Sequence, residues 1–198
     1  MWGVLEIKEE TMSKNKSIQK LTLTALLTAL VIVLQLLGSF IRLGMFSVSL
    51  VLVPIVIGAA TCGILSGAFL GFVFGMVVLI SGDAAGFMTI NAFGTIVTVL
   101  LKGTLCGLLS GLTYKLLEKK NRVLAVFAAA IVCPIVNTGV FLLGCFAFFF
   151  ETIKTWAGDE NLVKYFIFGL GLLNFPIELL FNMVLSPVIV RLIDIKNK

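Results

Sequence analysis

A chain of 198 residues that is 60% hydrophobic and 13% charged, with a mean hydropathy of +1.15, carries more apolar surface than a soluble domain of this length can bury. Crossing a hydrocarbon core takes about 20 apolar residues per helix, so the length has room for about six crossings and for no separate soluble catalytic domain. The net charge of +5 would point to nucleic acid in a soluble protein; here its placement speaks instead to membrane orientation.

In chain order, "MWGVLEIKEETMSKNKSIQK" (residues 1–20) is too polar for a signal peptide and reads as a cytoplasmic N-terminal segment, with no role assigned to residues 1–11. From Leu21 to Ile41 runs an apolar helix closed by Arg42. Leu43 to Gly82 is 40 residues without a charge, about 60 Å as helix at about 1.5 Å per residue, hence two crossings. Their break is expected at "GAATCG" (58–63), where small residues permit a tight turn. "SGDAAGFMTINAFG" (81–94) reads as a loop, followed by a fourth crossing from about Ala92 to Leu112. "KLLEKKNR" (115–122) is a basic loop, Val123 to Phe150 crosses again, "ETIKTWAGDENLVK" (151–164) is a polar loop, and Tyr165 to Val190 crosses last. The expected fold is an all-α integral membrane protein of six transmembrane helices, with a membrane domain over 21–190 and a cytoplasmic tail over 191–198.

Lysine and arginine set the orientation. Lys14, Lys16, Lys20, Lys115, Lys119, Lys120, Arg122, Arg191, Lys196 and Lys198 fall on one side, ten in all, against Arg42, Lys154 and Lys164 on the other. By the positive-inside rule both termini are cytoplasmic. Within the crossings, Gly63, Gly67, Gly71 and Gly75 recur every fourth residue in the third, and Gly103, Gly107 and Gly111 in the fourth. That spacing gives one smooth helical face, the pattern of close helix packing in lipid.

Several chemistries are excluded. There is no histidine, which removes His-based triads and His-ligated zinc or haem. No Gly-Lys pair occurs, so ATP binding through a P-loop is ruled out, and G-x-S-x-G and H-E-x-x-H are also missing. Cys62, Cys106, Cys133 and Cys145 form no C-x-x-C and read as small packing residues. The chain is read as a non-enzyme that needs no cofactor or metal.

A few polar residues stand out inside the apolar runs. Lys102 sits in the middle of "INAFGTIVTVLLKGTLCGLLSGL" (90–112), although a charge at the bilayer centre costs about 2.5–3.5 kcal/mol. Asn137 lies halfway through the fifth crossing, and Asn174 and Glu178 share a face of the sixth, one turn apart in "LLNFPIELLFN". All four fall at or outward of the midplane, and the cost of isolated polar groups predicts that they face one another. Two readings stay open: a structural Lys102–Glu178 salt bridge with asparagine support, or a polar ligand pocket. The outer loops would cover this layer, with Phe46, Phe87 and Phe93 as apolar contacts and Asp83 and Asn91 as polar ones, unless those loops are plain connectors. Trp156, in the last outer loop, is placed away from the pocket.

In "TALLTALVIV" Ala25 and Ala29 form an A-x-x-x-A pair near the basic end of the first crossing. Taken with six crossings, basic cytoplasmic ends and no ATPase motif, the chain from Lys14 onward resembles the substrate-binding S component of an energy-coupling factor (ECF) transporter. The resemblance implies that Ala25 and Ala29 dock onto a transmembrane T subunit, itself bound to two ATPase subunits. It also implies a bacterial plasma-membrane location and capture of a vitamin or similar micronutrient from outside. An amphoteric pocket of Lys102, Glu178 and amides suits a small polar vitamin such as pantothenate, and riboflavin could stack on the loop phenylalanines. A self-contained secondary transporter using Lys102 and Glu178 as ion-coupling groups is the alternative, and a structural membrane protein without ligand the third reading.

Overall fold

Helices follow the apolar runs, because only a helix satisfies every backbone N–H and C=O within one segment in lipid. The computed structural model describes residues 2–39, 42–43, 46–47, 50–158, 161, 164–165 and 175–196. Helix α1 covers Trp2–Gly38, and a two-residue antiparallel pair follows, β1 (Arg42–Leu43) with β2 (Phe46–Ser47), Leu43 opposite Phe46. Then come α2 (Leu52–Cys62), α3 (Ile64–Ile80), the single turn α4 (Ala85–Met88), α5 (Ala92–Leu117), α6 (Arg122–Phe148), α7 (Phe150–Ala157) and α8 (Phe175–Lys196). Asn91 and Asn121 start α5 and α6 as N-caps, their Oδ1 atoms accepting from the N–H groups of Gly94 (2.9 Å) and Leu124 (3.1 Å).

Among the described residues, three stretches are long and apolar enough to cross a membrane: Ser17–Gly38, Ala92–Leu117 and Arg122–Phe148. The apolar helices α2 and α3 are shorter, at 11 and 17 residues. The helices described within the 43–82 run are therefore shorter than two full helical crossings. Its first half opens on the β1–β2 pair, and at about 1.5 Å per residue α2 reaches only about half of a ~30 Å core. Glycine and serine in "LGMFSVSL" (43–50) weaken helix at that end. The break inside the run falls where it was expected: Gly63 adopts φ 109°, a left-handed conformation that ends α2 and lets α3 begin. A second departure is α7, in the stretch read as a polar loop, where Ile153 and Ala157, four apart, bury one helical face. Helix α1 runs unbroken across residues 20–21 and α8 across 190–191.

The glycine series decide how α3 and α5 meet. A Cβ on Gly71 would overlap the Gly103 carbonyl, one on Gly103 the Gly71 carbonyl, and one on Gly107 the Gly67 carbonyl. The two backbones are in direct contact along these faces, so dispersion between main chains holds the pair together. Against this pair pack Leu52, Ile55 and Val56 of α2, Val126 and Ala129 of α6, and Ile189 of α8, all fully buried. Helix α1 adds Leu27 and Val31 to the core and turns Leu26, Leu30, Val33 and Leu37 outward, as a helix facing lipid does. Lys20, Gly63 and Lys115 gather at one end of the bundle, the basic end; Asp83, Phe87 and Trp156 lie at the other.

Candidate ligand-binding site

Helix geometry brings residues of three helices together around Lys102 and Glu178. On α5, Thr98 and Lys102 are one turn apart; on α6, Asn137 and Phe141; on α8, Glu178, Asn182 and Ser186 follow every fourth residue. Asn137 (4% exposed), Glu178 (4%) and Asn182 (1%) are buried between α6 and α8, and Asn137 Nδ2 donates to Glu178 Oε2 at 3.3 Å. Asn182 Nδ2 donates to the Glu178 carbonyl at 2.8 Å, and the Ser186 hydroxyl donates to the Asn182 carbonyl at 2.7 Å. The Asn137–Glu178 meeting is the one expected from sequence; Asn174 lies outside the described residues.

Lys102 does not join them in a salt bridge. Its ammonium lies between two aromatic rings, with Nζ 5.4 Å from the centroid of Phe74 on α3 and 5.5 Å from that of Phe141 on α6. Among the described residues no ion pair joins it to Glu178. Asn137 on α6 donates to the carboxylate, and the two rings flank the cation. Each ring contact is worth about 0.5–2 kcal/mol. That offsets part of the cost of placing a charge in the membrane, yet leaves the three N–H donors without an acceptor among the described residues. The same region holds orphaned acceptors, since Asn137 Oδ1, Asn182 Oδ1 and Thr98 Oγ1 are buried with no hydrogen-bond partner among the described residues. Among the described residues, lysine donors on α5 and amide acceptors on α6 and α8 thus lie unsatisfied in one region of the bundle.

The outer elements divide by role. Phe87, on α4, packs edge-on against Phe141 (5.8 Å), Phe149 (5.0 Å) and Trp156 (5.9 Å), so it reaches the ring that touches Lys102. Trp156, on α7, meets the outer side of this aromatic group through Phe87. Asp83 accepts from Gln35 Nε2 at 2.6 Å and from the Ser81 hydroxyl at 3.2 Å, tying α1 to the α3–α5 connection. Asn91 caps α5. Phe93 is 71% exposed and meets Phe148 on the outside of the bundle, so it is not brought to the layer. Phe46 lies in β2. On α1, Ala25 and Ala29 are exposed, on the side opposite Leu27 and Val31.

Sequence reasoning missed Phe74, Phe141, Gln35 and Thr98 as parts of this region, and noted Asn182 but left it out of the polar set. Gln35 carried a signal, as the polar residue inside "VIVLQLLG", and Asn182 another, one turn beyond Glu178. The phenylalanines carried none, being 2 of 17 in the chain.

Compared with known proteins, residues 19–190 match the family described as "ECF transporter, substrate-specific component". No curated protein and no solved structure matches the chain.

Proposed function

Because the chain belongs to the substrate-specific components of ECF transporters, a multi-pass membrane family of transporter subunits rather than enzymes, we propose that it captures a small amphoteric micronutrient at the Lys102 layer for an ATP-driven importer. Lys102 binds a carboxylate of the substrate, while the Asn137 side-chain Oδ1 and the Glu178 carboxylate accept from its N–H or O–H groups. The observation that carries this reading is the Lys102 ammonium itself, in the membrane between two rings and without a protein acceptor among the described residues. A purely structural lysine would be replaceable by an apolar side chain at little loss.

The finer assignments belong to the same proposal. The chain makes six crossings, α2 and α3 included, with its basic end in the bacterial cytoplasm; residues 1–20 and 191–198 are the cytoplasmic segments flanking the 21–190 membrane domain. Phe46 and Phe87 belong to the outer cover, with Phe87 closest to the substrate through Phe141; Asp83 and Asn91 hold the connection beneath it, and Asn174 extends the α8 face. Ala25 and Ala29 dock on the T subunit of a module with two ATPases. Pantothenate fits the charge pattern, and riboflavin the aromatic cover.

Mass spectrometry of small molecules released from the detergent-purified protein tests the proposal. The expected result is one compound with a carboxylate and donor groups, retained by the wild-type chain and lost from a folded Lys102→Met, Glu178→Gln variant. Equal retention by both proteins would remove the layer from the site.

A further inference from the structure

A cavity of about 470 Å³ opens at the basic end of the bundle, at the far side of the membrane-spanning region from the Lys102 layer. Its walls come from the start of the α1 apolar stretch, the α2–α3 turn and the last turn of α5. Lys20 and Lys115 supply two ammonium groups, Glu118 one carboxylate, Tyr114 a buried ring and Leu65 an apolar rim that is 83% exposed. Gly63 forms part of the wall with nothing within 4 Å of where a Cβ would stand, so the space continues over the turn. None of these residues takes part in substrate capture as proposed above.

Depth and charge together limit what fills this cavity. Lys20 lies three residues inside the Ser17–Gly38 span and Lys115 two residues before the end of the Ala92–Leu117 span. The cavity therefore sits where apolar helix gives way to the polar interface, the level of lipid head groups. The lining carries a net charge of +1, from two lysines against one glutamate. Two ammonium groups suit a phosphodiester, and a carboxylate beside them suits a head-group hydroxyl or N–H donor. We infer that this cavity is a binding site for the head group of a phospholipid that carries an anionic phosphate and a donor group beyond it, with its acyl chains running past Leu65 into the bilayer. Lys20 and Lys115 hold the phosphate and Glu118 accepts from the terminal donor.

Helical angle separates this site from the docking face. Lys20 is seven residues before Leu27 and eleven before Val31, so it shares their inward side, whereas Ala25 and Ala29 point outward. A lipid in the cavity leaves the alanine pair clear.

Delipidated, detergent-solubilised full-length protein, titrated with phosphatidylglycerol or phosphatidylethanolamine and read by native mass spectrometry and thermal unfolding, tests the inference. Both lipids should bind and raise the unfolding temperature, and phosphatidylcholine, whose head group has no donor, should bind more weakly. Lys20→Gln with Lys115→Gln should cut affinity by about tenfold or more, as the loss of two charge-assisted hydrogen bonds implies, and the Lys→Arg pair should retain it. Lys119→Gln with Lys120→Gln, which removes equal charge outside the cavity, should leave binding unchanged. The inference is overturned by equal binding of phosphatidylcholine, by an equal loss in the Lys119/Lys120 pair, by unchanged binding in the Lys20/Lys115 pair, or by inorganic phosphate reproducing the full thermal shift.

Discussion

Lys102 and Asn91 were both singled out by sequence, and the structure gives them different work. The Asn91 side-chain oxygen accepts the Gly94 N–H as the cap of α5, a local task that needs no ligand. Asn91→Ala should therefore lower stability by about 0.5–2 kcal/mol, measured by thermal or chemical unfolding in detergent, while substrate affinity stays within twofold or so of wild type, a change below about 0.5 kcal/mol. A larger affinity loss at unchanged stability would return Asn91 to the site. At this scale the sequence showed which residues were costly, because charge and amide inside an apolar run are visible without coordinates. It hid their partners. Lys102 meets Phe74 and Phe141, ordinary apolar residues whose meaning depends on which helix faces which. Asp83 meets Gln35 from 48 positions away.

At the scale of elements, the α3–α5 contact was the most legible feature, since four-residue glycine spacing has few other uses in a membrane helix. Its test contrasts two glycines of similar helical setting. Gly71→Ala would force a methyl into the Gly103 carbonyl, so α3 and α5 must separate, and a large loss of thermal stability follows. Gly139→Ala, on α6, meets nothing within 4 Å among the described residues and should be neutral or gain up to about 1 kcal/mol from helix propensity. Equal effects of the two substitutions would contradict the packing account. The β1–β2 pair and α7 were not legible. Hydropathy counts apolar residues without regard to whether glycine and serine let them form helix, and the buried face of α7 rests on Ile153 and Ala157 within an otherwise polar string.

For the whole molecule, apolar content and charge placement suggested the membrane class, and the family match supports the role of substrate-specific component. Two predictions belong here. Cysteine labelling should find residues 115–122 on the cytoplasmic side and 151–158 outside; labelling of the tail from outside would invert the orientation and the proposed direction of capture. Ala25→Trp or Ala29→Trp places a large ring on the exposed face of α1. Either should abolish assembly with the T subunit and uptake into ATP-loaded vesicles, while substrate binding by the isolated chain survives. Normal uptake in both variants would reject the docking face. The most direct measurement of the central claim is titration calorimetry of the purified chain with the compound that copurifies with it, comparing wild type with Lys102→Met, Glu178→Gln. Removing both charges together avoids stranding one of them in the membrane, and glutamine can still accept from Asn137. The account predicts a folded double variant whose affinity falls by about 1.5–3 kcal/mol for each charged hydrogen bond lost. A folded double variant that binds as tightly as wild type would contradict it.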